Sequence, residues 1–327
     1  MLATATLLLG FVLLIGGGAL LVRGASEIAT HLGISPMVIG LTIVGFGTSA
    51  PELIVNTLSA GKGATGLAFG NVVGSNISNL ALVLGAAALV MPITIQGQLV
   101  KREVPLLLLG TAAVTAMAAD SLFEGGSGII SRSEAVVLLL LFCIFIYTNI
   151  LEIYKPSTTD QFFLDVDDSP LVVAPAPSRA RWVFVIAGCA LLFIGGDLAV
   201  DGAVDLASYF DVPPVVVGLF VVAVGTSMPE LVTSIIAALR HESDLALGNV
   251  VGSNLFNTLV VMPVTALVAP VKVPAGGITD LMLSLSLAVA LIPVFFFGEA
   301  RLGRRAGGFL LLVYAGYAVA RISTVES

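Results

Sequence analysis

A stretch of 44 residues occurs twice in this 327-residue chain, and it constrains the fold more than any other feature. Residues 40–83 return as residues 218–261 at a constant offset of 178, and 21 of the 44 positions are identical. Both copies are mostly apolar, yet each carries one carboxylate, Glu52 or Glu230, among hydroxyl and amide side chains. Polar groups are costly in an apolar segment unless they have partners, so their repetition indicates a shared function.

The composition predicts an all-α polytopic membrane protein. Hydrophobic residues make up 57% of the chain and charged residues 11%, whereas soluble chains contain about 25% charged residues. Apolar runs long enough to cross a membrane as helices recur along the whole length, and no polar tract is long enough to form a soluble domain. We predict ten spans, at about residues 4–22, 36–60, 66–91, 103–119, 132–150, 181–200, 213–239, 245–268, 278–297 and 307–322.

A polar segment divides the ten spans into five and five. Residues 152–180 are rich in Pro, Ser and Asp, which is typical of a linker without its own core. Residues 1–151 and 181–327 are each one copy, because the similarity extends outward to pairs such as Gly17 and Gly195. A unit of five spans starts and ends on opposite sides of the membrane, so the second copy must be inverted. Inverted repeats are typical of alternating-access transporters.

The positions of Lys and Arg predict the orientation, because cytoplasmic loops carry an excess of both. With the N-terminus outside, ten basic residues fall inside and four fall outside. The inside residues are Arg23, Lys101, Arg102, Lys155, Arg179, Arg181, Arg240, Arg301, Arg304 and Arg305. The outside residues are Lys62, Arg132, Lys272 and Arg321. We therefore expect both termini outside and the linker inside.

The motif GTSAPE predicts a helix that breaks in the middle of the second span. Pro51 has no N–H group and clashes with the carbonyl four residues earlier, so Gly47 loses its helical partner. We expect the helix to break between Gly47 and Ser49 and to restart at Pro51, with Ser49 as the cap. Irregular backbone at this depth persists only where it is buried in protein or lines a cavity. Glu52 follows on the next turn, and GTSMPE repeats the pattern up to Glu230.

The motif GNVVGSNISN predicts three polar side chains on one helical face. Asn71, Ser75 and Asn79 are spaced by four residues, and this spacing aligns them along a helix. Gly70 and Gly74 would let a neighbouring helix approach closely. The second copy reproduces the polar face with Asn249, Ser253 and Asn257.

The two carboxylates would face each other near the membrane midplane if the copies pack around a two-fold axis. An intramembrane carboxylate costs about 2.5 to 3.5 kcal/mol at a helix centre, and neither core span contains Lys or Arg to neutralise it. The neighbouring groups are hydroxyls, amide oxygens and freed carbonyls, without sulfur or imidazole. Such a set suits Na⁺, Ca²⁺ or Mg²⁺ rather than zinc, copper or iron. Two negative charges match one Ca²⁺, or a pair or more of Na⁺.

Each motif alone has a simpler interpretation. A lone GTS-P could be an ordinary kinked helix, and a lone Glu could be a protonated acid bonded to a neighbour. Asn76 and Asn254 point off the polar face and could bond helix to helix as readily as bind an ion. These interpretations fail for the whole set, because both copies carry the same costly residues at the same spacing.

Two other functional classes were weighed against a carrier. An intramembrane serine protease would use Ser49 or Ser227, but His31 and His241 lie at predicted loop ends, where they cannot act as its base. A passive channel is disfavoured because discontinuous helices with an occluding carboxylate pair favour a carrier. Two histidines and two isolated cysteines also make neither a zinc or copper site nor a disulfide framework.

At these motifs the chain resembles the cation/Ca²⁺ exchanger superfamily, and within it the prokaryotic sodium/calcium exchangers. That family carries two repeats of the form G-T-S-x-P-E and G-N-x-x-G-S-N-x-x-N/D, which stand here as GTSAPE with GNVVGSNISN and GTSMPE with GNVVGSNLFN. The resemblance implies two inverted five-helix repeats, with spans 2, 3, 7 and 8 forming the ion-binding core. It also implies that spans 1 and 6 slide across this core, where the pairs Gly17-Gly18 and Gly195-Gly196 would suit the contact.

The resemblance further implies four adjoining cation sites, used in turn by three Na⁺ and one Ca²⁺. Carried over by motif position, the side-chain ligands are Thr48, Ser49, Glu52, Ser75, Asn79, Thr226, Ser227, Glu230, Ser253 and Asn257. The family's backbone-carbonyl ligands fall on Gly45 and Ala223. Some members have Asp at the position of Asn257, so the formal charge of this pocket is −2 instead of −3, and ion count and selectivity stay open.

The leading hypothesis is an electrogenic Na⁺/Ca²⁺ antiporter of a prokaryotic plasma (inner) membrane. It would not be an enzyme, would need no cofactor, and would transport Na⁺ and Ca²⁺ as a monomer within membrane lipid, without a nucleic-acid partner. The linker is too short for the large regulatory domain of animal exchangers. The alternative is Ca²⁺/H⁺ or other cation/H⁺ exchange through the same carboxylates, although the proton-coupled branch typically carries a different signature, G-N-x-x-E.

Overall fold

The computed structural model of the chain describes residues 2–94, 100–120, 128–154, 178–210, 223–296 and 301–325. These ranges are almost entirely helical, because a helix satisfies its own backbone hydrogen bonds where water is absent. The helices of the first half are α1 (Leu2–Leu32), α2 (Pro36–Ile39), α3 (Gly45–Thr48), α4 (Ala50–Gly61), α5 (Thr65–Ser78), α6 (Leu84–Val90), α7 (Val100–Ala118) and α8 (Arg132–Tyr154).

The second half repeats this series of helices. Its helices are α9 (Ser178–Tyr209), α10 (Ala223–Thr226), α11 (Met228–Leu239), α12 (Ser243–Phe256), α13 (Met262–Val268), α14 (Gly277–Phe296) and α15 (Arg304–Val325). Within the described ranges, three π-helical turns join α2 to α3, α5 to α6 and α12 to α13, at Gly40–Val44, Asn79–Val83 and Asn257–Val261. Predicted span 213–239 is described only from residue 223 onward.

Two short antiparallel ribbons are the strands of the described ranges, and the sequence analysis did not predict them. Strand β1 (Ile93–Thr94) pairs with β4 (Arg301–Leu302), and β2 (Ile129–Ile130) pairs with β3 (Val271–Lys272). Each ribbon joins a connection of the first half to a connection of the second half. The strands are two residues long, so the class stays essentially all-α.

Six described segments meet the length and composition of a membrane span. Five are single segments, at Ala3–Leu32, Thr65–Val90, Arg132–Leu151, Arg179–Tyr209 and Ser243–Val268. The sixth is a broken span, in which Pro36–Thr48 meets Ala50–Gly61 at a bend of 43°. The molecule is therefore a multi-pass membrane protein, as its composition predicted.

Helices α1 and α9 are longer than the spans predicted for them. The apolar runs predicted ends near residues 22 and 200, but the helices continue to Leu32 and Tyr209. In α1 the extension is stabilised because Ala25, Ile28 and Ala29 are buried. Packing against the rest of the protein therefore keeps the chain helical beyond the point where polar residues interrupt the apolar run. The two histidines lie at exposed ends, as predicted, and both cysteines are free.

Burial separates central helices from peripheral ones. The segments that contain α5 and α12 are 78% and 83% buried, whereas those of α1 and α9 are 33% buried. Apolar residues of α5 and α12, including Phe69, Ile77 and Leu255, belong to the larger of two hydrophobic clusters. The polar faces of α5 and α12 consequently lie at the centre of the molecule.

Helices α1 and α9 pack against each other through glycines spaced by seven residues. A side chain on Gly17 would lie 2.9 Å from the Gly188 carbonyl oxygen, and one on Gly195 would lie 2.9 Å from the Gly10 carbonyl oxygen. The expectation that Gly17 and Gly195 contact the core is therefore wrong, since both face the partner helix. Their neighbours do face the core: Gly18 lies against Ile236, and Gly196 lies near Pro229.

Candidate cation-binding site

The predicted helix break in the first half is present and lies at Ser49. Helix α3 ends at Thr48, Ser49 has φ −92° and ψ 6°, and α4 restarts at Ala50 with Pro51 in its first turn. Proline is favoured there because its missing N–H would have no helical partner anyway. The expectation that Ser49 caps α4 is wrong: its side chain makes no capping hydrogen bond.

The second half repeats the break with the same geometry. Ser227 has φ −92° and ψ 6°, and α11 follows with Pro229 in its first turn. The carboxylates Glu52 and Glu230 occupy the first turns of α4 and α11. The positive end of a helix dipole stabilises a negative charge at this position.

The two carboxylates are buried in the same region of the molecule. Glu52 is 2% exposed and Glu230 is 0% exposed, and their charges act on each other. The hydroxyl of Ser49 donates a 3.0 Å hydrogen bond to Oε1 of Glu230. The Ser49 side chain thus contacts the carboxylate of the other half and makes no hydrogen bond to the first turn of its own helix.

A network of buried hydrogen bonds connects the first broken helix to α12. The Thr48 hydroxyl donates to Oδ1 of Asn249 at 3.1 Å and lies 3.3 Å from Oγ of Ser253. The Ser253 hydroxyl in turn donates to the Gly45 carbonyl at 3.3 Å. The predicted backbone ligand Gly45 thus lies beside two predicted side-chain ligands.

Glycines on α12 allow this close approach. A side chain on Gly248 would lie 2.7 Å from the Met37 carbonyl oxygen, and a side chain on Gly252 would collide with Leu41. Gly70 and Gly74 were predicted to make the equivalent contact on α5. The residues equivalent to Met37 and Leu41, at positions 215 and 219, lie outside the described ranges, so this contact stays a prediction.

Six oxygens of predicted ligands are buried without a hydrogen-bond partner. They are Oε2 of Glu52, Oγ of Ser75, Oδ1 of Asn79, Oγ of Ser227, Oε2 of Glu230 and Oδ1 of Asn257. Buried polar atoms in proteins almost always have a partner, so such a set needs an explanation. A hard cation satisfies carboxylate, hydroxyl and amide oxygens together.

Four other predicted ligands either lie at the start of the described second half or use their hydroxyls within the protein. Thr226 is the last residue of α10 and is half-buried, and Ala223 is the first residue of that helix. Thr48 and Ser253 use their hydroxyls within the protein, as described above. The structure therefore brings together Glu52 and Glu230, and it places the α10 residues at the edge of the described chain.

The off-face asparagines bond helix to helix, which was one of the two alternatives. Nδ2 of Asn76 donates to the Thr258 hydroxyl at 2.9 Å. Oδ1 of Asn254 accepts a 3.3 Å hydrogen bond from Nδ2 of Asn79. The second contact leaves Oδ1 of Asn79 unpartnered.

Sequence reasoning missed three features of the site. Asn249 lies on the predicted polar face, but it joins protein groups and leaves no free oxygen. Asn56 is fully buried one turn beyond Glu52, and its Nδ2 donates to the Glu52 carbonyl at 2.7 Å. A comparison of the repeats at positions 56 and 234 would have found it, because both are polar. The π-helical turns that begin at Asn79 and Asn257 have no recognisable signal in the sequence.

The chemistry of the site is that of oxygen ligands around two acids. Among the described residues, no group of three or more His, Cys, Asp or Glu side chains could hold a metal ion. Glu52 and Glu230 form no ion pair within the described ranges. The site can therefore bind hard cations. The expectation that no sulfur is nearby is wrong, because the Cys189 thiol lies against the helix break: a Cβ on Gly47 would lie 2.7 Å from its Sγ.

Comparisons with known proteins agree with this chemistry. The family model described as sodium/calcium exchanger protein matches residues 2–151 and 180–323. The putative antiporter CaxA of Alkalimonas amylolytica is 40% identical over 320 residues, which are 96% of this chain and 97% of that protein. The sodium/calcium exchanger MaX1 of Methanosarcina acetivorans is 30% identical over 342 aligned positions, with 96% of each chain covered.

The solved structures that are similar to this chain point to the same family. Structures of the sodium-calcium exchanger NCX_Mj, soaked with various Na⁺, Ca²⁺ and Sr²⁺ concentrations, are similar to this chain. One of them superposes with a TM-score of 0.82 at 29% sequence identity and covers 98% of both chains. The likeness spans both halves of the molecule and not only the repeated motifs.

Proposed function

This chain belongs to the sodium/calcium exchanger protein family, and on that premise we propose that it exchanges Na⁺ for Ca²⁺ across the plasma (inner) membrane. The mechanism is alternating access, in which the same buried site opens to each side in turn. No enzymatic step and no cofactor take part, and one monomer is sufficient.

The observation that carries the proposal is the buried pair of Glu52 and Glu230, surrounded by unpartnered oxygens. Two carboxylates in a low-dielectric site repel each other, so a cation or a proton must be present for both to stay buried. An empty site is therefore costly, and this cost couples the exit of one ion to the entry of another.

The ligands are divided equally between the repeats. In the first repeat we propose Thr48, Ser49, Glu52, Ser75, Asn79 and the Gly45 carbonyl, and in the second Thr226, Ser227, Glu230, Ser253, Asn257 and the Ala223 carbonyl. Since Thr48 and Ser253 donate within the protein, their oxygens are left to face an ion as acceptors. Hydroxyl and carboxylate oxygens bind Na⁺ and Ca²⁺ alike, which lets the two ions compete.

Charge balance favours an electrogenic cycle. The pocket carries two formal negative charges, from Glu52 and Glu230. One Ca²⁺ neutralises them, whereas three Na⁺ leave one positive charge. Exchange of three Na⁺ for one Ca²⁺ therefore moves one net charge across the membrane, and the membrane potential changes its driving force.

The topology we propose is ten spans in two inverted five-helix repeats, with both termini outside and residues 152–180 inside. Contacts between connections support this arrangement. On the proposed inner side, β1 pairs with β4, and Ser26 donates to Glu242 at 2.9 Å. On the proposed outer side, β2 pairs with β3, and Arg321 donates to Asp280 at 2.7 Å. None of these contacts joins connections assigned to opposite sides.

Uptake of ⁴⁵Ca²⁺ into proteoliposomes tests the proposal. Vesicles loaded with Na⁺ and diluted into Na⁺-free medium should accumulate Ca²⁺, and an inside-positive potential should accelerate uptake. Uptake that follows a pH gradient but not a Na⁺ gradient would replace the proposal with cation/H⁺ exchange. Uptake that does not saturate and needs no counter-ion would indicate a channel.

A further inference from the structure

A small cavity lies beside the cation-binding site, between helices α5, α7 and α14 and the turn that joins α12 to α13. Its volume is about 10 Å³, which is about the space that one water molecule needs. Four polar side chains line it, and none of them is more than 5% exposed: Asn76, Thr111, Thr258 and Ser284. The rest of the lining is apolar and includes Met262. The protein therefore encloses a small polar space within its apolar core.

The amide of Asn76 is only partly used by protein groups. Its Nδ2 donates to the Thr258 hydroxyl at 2.9 Å, whereas its Oδ1 is buried without a hydrogen-bond partner. A buried amide oxygen can only accept, and leaving it without a donor is costly. A small molecule in the cavity that donates a hydrogen bond would satisfy this oxygen.

The other half of the molecule does not repeat this chemistry. At the offset of 178, the twins of the three hydroxyl residues are apolar: Leu80, Val289 and Leu106. The amide is kept as Asn254, but its Oδ1 accepts a hydrogen bond from Asn79 at 3.3 Å. The hydroxyls thus surround the asparagine whose oxygen lacks a donor, and they are missing around the one whose oxygen has a donor. This correlation indicates that the hydroxyls hold a ligand for Asn76.

The lining favours a neutral ligand over a cation. The described residues that line the cavity include no charged side chain. Asp280 precedes the lining residue Leu281 in α14, but its carboxylate accepts a 2.7 Å hydrogen bond from Arg321. Burying a charge without a counter-charge is far more costly than burying a neutral group. Water is neutral, fits the volume, and can donate to Asn76 while it bonds to hydroxyls.

We propose that this cavity binds one water molecule, which donates to Oδ1 of Asn76 and bonds to the hydroxyls of Thr111 and Ser284. The water is a fixed part of the protein and is separate from the transported ions. Through Asn76 and Thr258 it supports the turn that begins at Asn257, one of the proposed ligands. This last step rests on the proposed exchange function, whereas the water site itself does not.

Crystals of the full-length protein, grown once with Na⁺ and once with Na⁺ replaced by a large organic cation, test the site directly. Density for one water should appear in both crystals, about 2.7 to 3.2 Å from Oδ1 of Asn76. Density that is present only with Na⁺ would make the cavity a cation site and overturn the assignment. An empty cavity, at a resolution that shows other buried waters, would overturn it as well.

A double-mutant cycle tests the water in the purified protein. Thr111→Val removes a hydroxyl at nearly constant volume and copies the twin residue Val289. It should lower Tm by about 2 to 4 °C in the wild type, as expected for one hydrogen bond, but not in an Asn76→Leu background. If Asn76→Leu does not fold, Ser284→Ala takes its place as the background. An equal loss in both backgrounds would mean that no water links the two side chains.

Thr115→Val is the matched control for this cycle. Thr115 lies one turn further along α7, and its hydroxyl donates to the Thr111 carbonyl at 2.7 Å instead of lining the cavity. Its effect on Tm should therefore be the same in both backgrounds. Coupling of Thr115→Val to Asn76→Leu as strong as that of Thr111→Val would trace the effect to helix packing and overturn the water.

Ca²⁺ titration separates the water site from its support of Asn257. Thr111→Val should raise the half-saturating Ca²⁺ concentration about threefold or more, whereas Thr115→Val should leave it unchanged, although both lower Tm. An unchanged Ca²⁺ affinity in Thr111→Val would overturn the support of Asn257. If the wild type binds no Ca²⁺ while the crystals and the cycle show the water, the exchange function is wrong and the water site stands.

Discussion

The Ser49 hydroxyl donates a 3.0 Å hydrogen bond to Oε1 of Glu230, so the helix break of one repeat holds the carboxylate of the other. The reciprocal bond is not formed, since the Ser227 hydroxyl is buried without a partner. The two serines have the same backbone angles and equivalent sequence positions. Their different partners show that the site is asymmetric although its two halves are repeated.

Ser49→Ala should weaken Ca²⁺ binding more than Ser227→Ala. Both variants lose a proposed ligand, but only Ser49→Ala also removes the bond that orients Glu230. A hydrogen bond to a charged group contributes about 1.5 to 3 kcal/mol, so the half-saturating Ca²⁺ concentration should rise about tenfold or more. Isothermal titration of the two purified variants measures this. Equal affinities in both would mean that the Ser49 bond does not position the carboxylate for the ion.

Glu52→Gln and Glu230→Gln should each abolish Na⁺-driven Ca²⁺ uptake while leaving folded protein in the membrane. Glutamine keeps the size of the side chain in both variants, and at position 230 its oxygen can still accept the Ser49 hydroxyl, so the variants test the charge. With one negative charge the pocket no longer balances a divalent ion. Uptake assays with size-exclusion profiles as the control for folding check this. Near wild-type exchange in either variant would remove that residue from the site.

The helix break could be predicted from the sequence because its cause is local. A proline removes a backbone donor wherever it stands in a helix. Proline alone does not determine a break, since α7 and α14 continue through Pro105 and Pro293. Pro51 and Pro229 differ in following a Gly-Thr-Ser sequence closely, and the signal is therefore the whole motif. The membrane class and most span boundaries follow in the same way from the length of apolar runs.

The use of each polar side chain could not be predicted, because it depends on contacts between halves. Ser49 was expected to cap α4, but its side chain lies against Glu230, to which it donates, and accepts no N–H from α4. Asn249 was placed on the ligand face, yet the approach of Thr48 and Ser234 uses both ends of its amide.

Gly17→Ala should destabilise the protein, whereas Gly16→Ala should not. A Cβ on Gly17 would lie 2.8 Å from the Leu192 backbone nitrogen, but a Cβ on Gly16 has nothing described within 4 Å. Overpacking of a tight contact costs about 1 to 3 kcal/mol, and alanine in an open helical position is slightly stabilising. Thermal denaturation of the two variants in detergent measures the difference. A similar loss of stability in both would mean that the α1–α9 contact adapts.

Asn257→Asp should increase the affinity for Ca²⁺ and the number of Na⁺ ions bound. Asn257 is 0% exposed and both atoms of its amide are unpartnered, so an added carboxylate would lie directly in the site. A further charge about 4 Å from a cation contributes up to about 4 kcal/mol at an effective dielectric constant of about 20. We therefore expect the half-saturating Ca²⁺ concentration to fall at least tenfold, and the Hill coefficient for Na⁺ to rise.

Asn79→Asp, its twin in the first half, is the matched control, because Nδ2 of Asn79 already donates to Asn254 and Asp would lose that bond. Titrations with Ca²⁺ and Na⁺ at mildly alkaline pH compare the two variants. Unchanged Ca²⁺ affinity in Asn257→Asp would show that position 257 does not set the charge of the pocket.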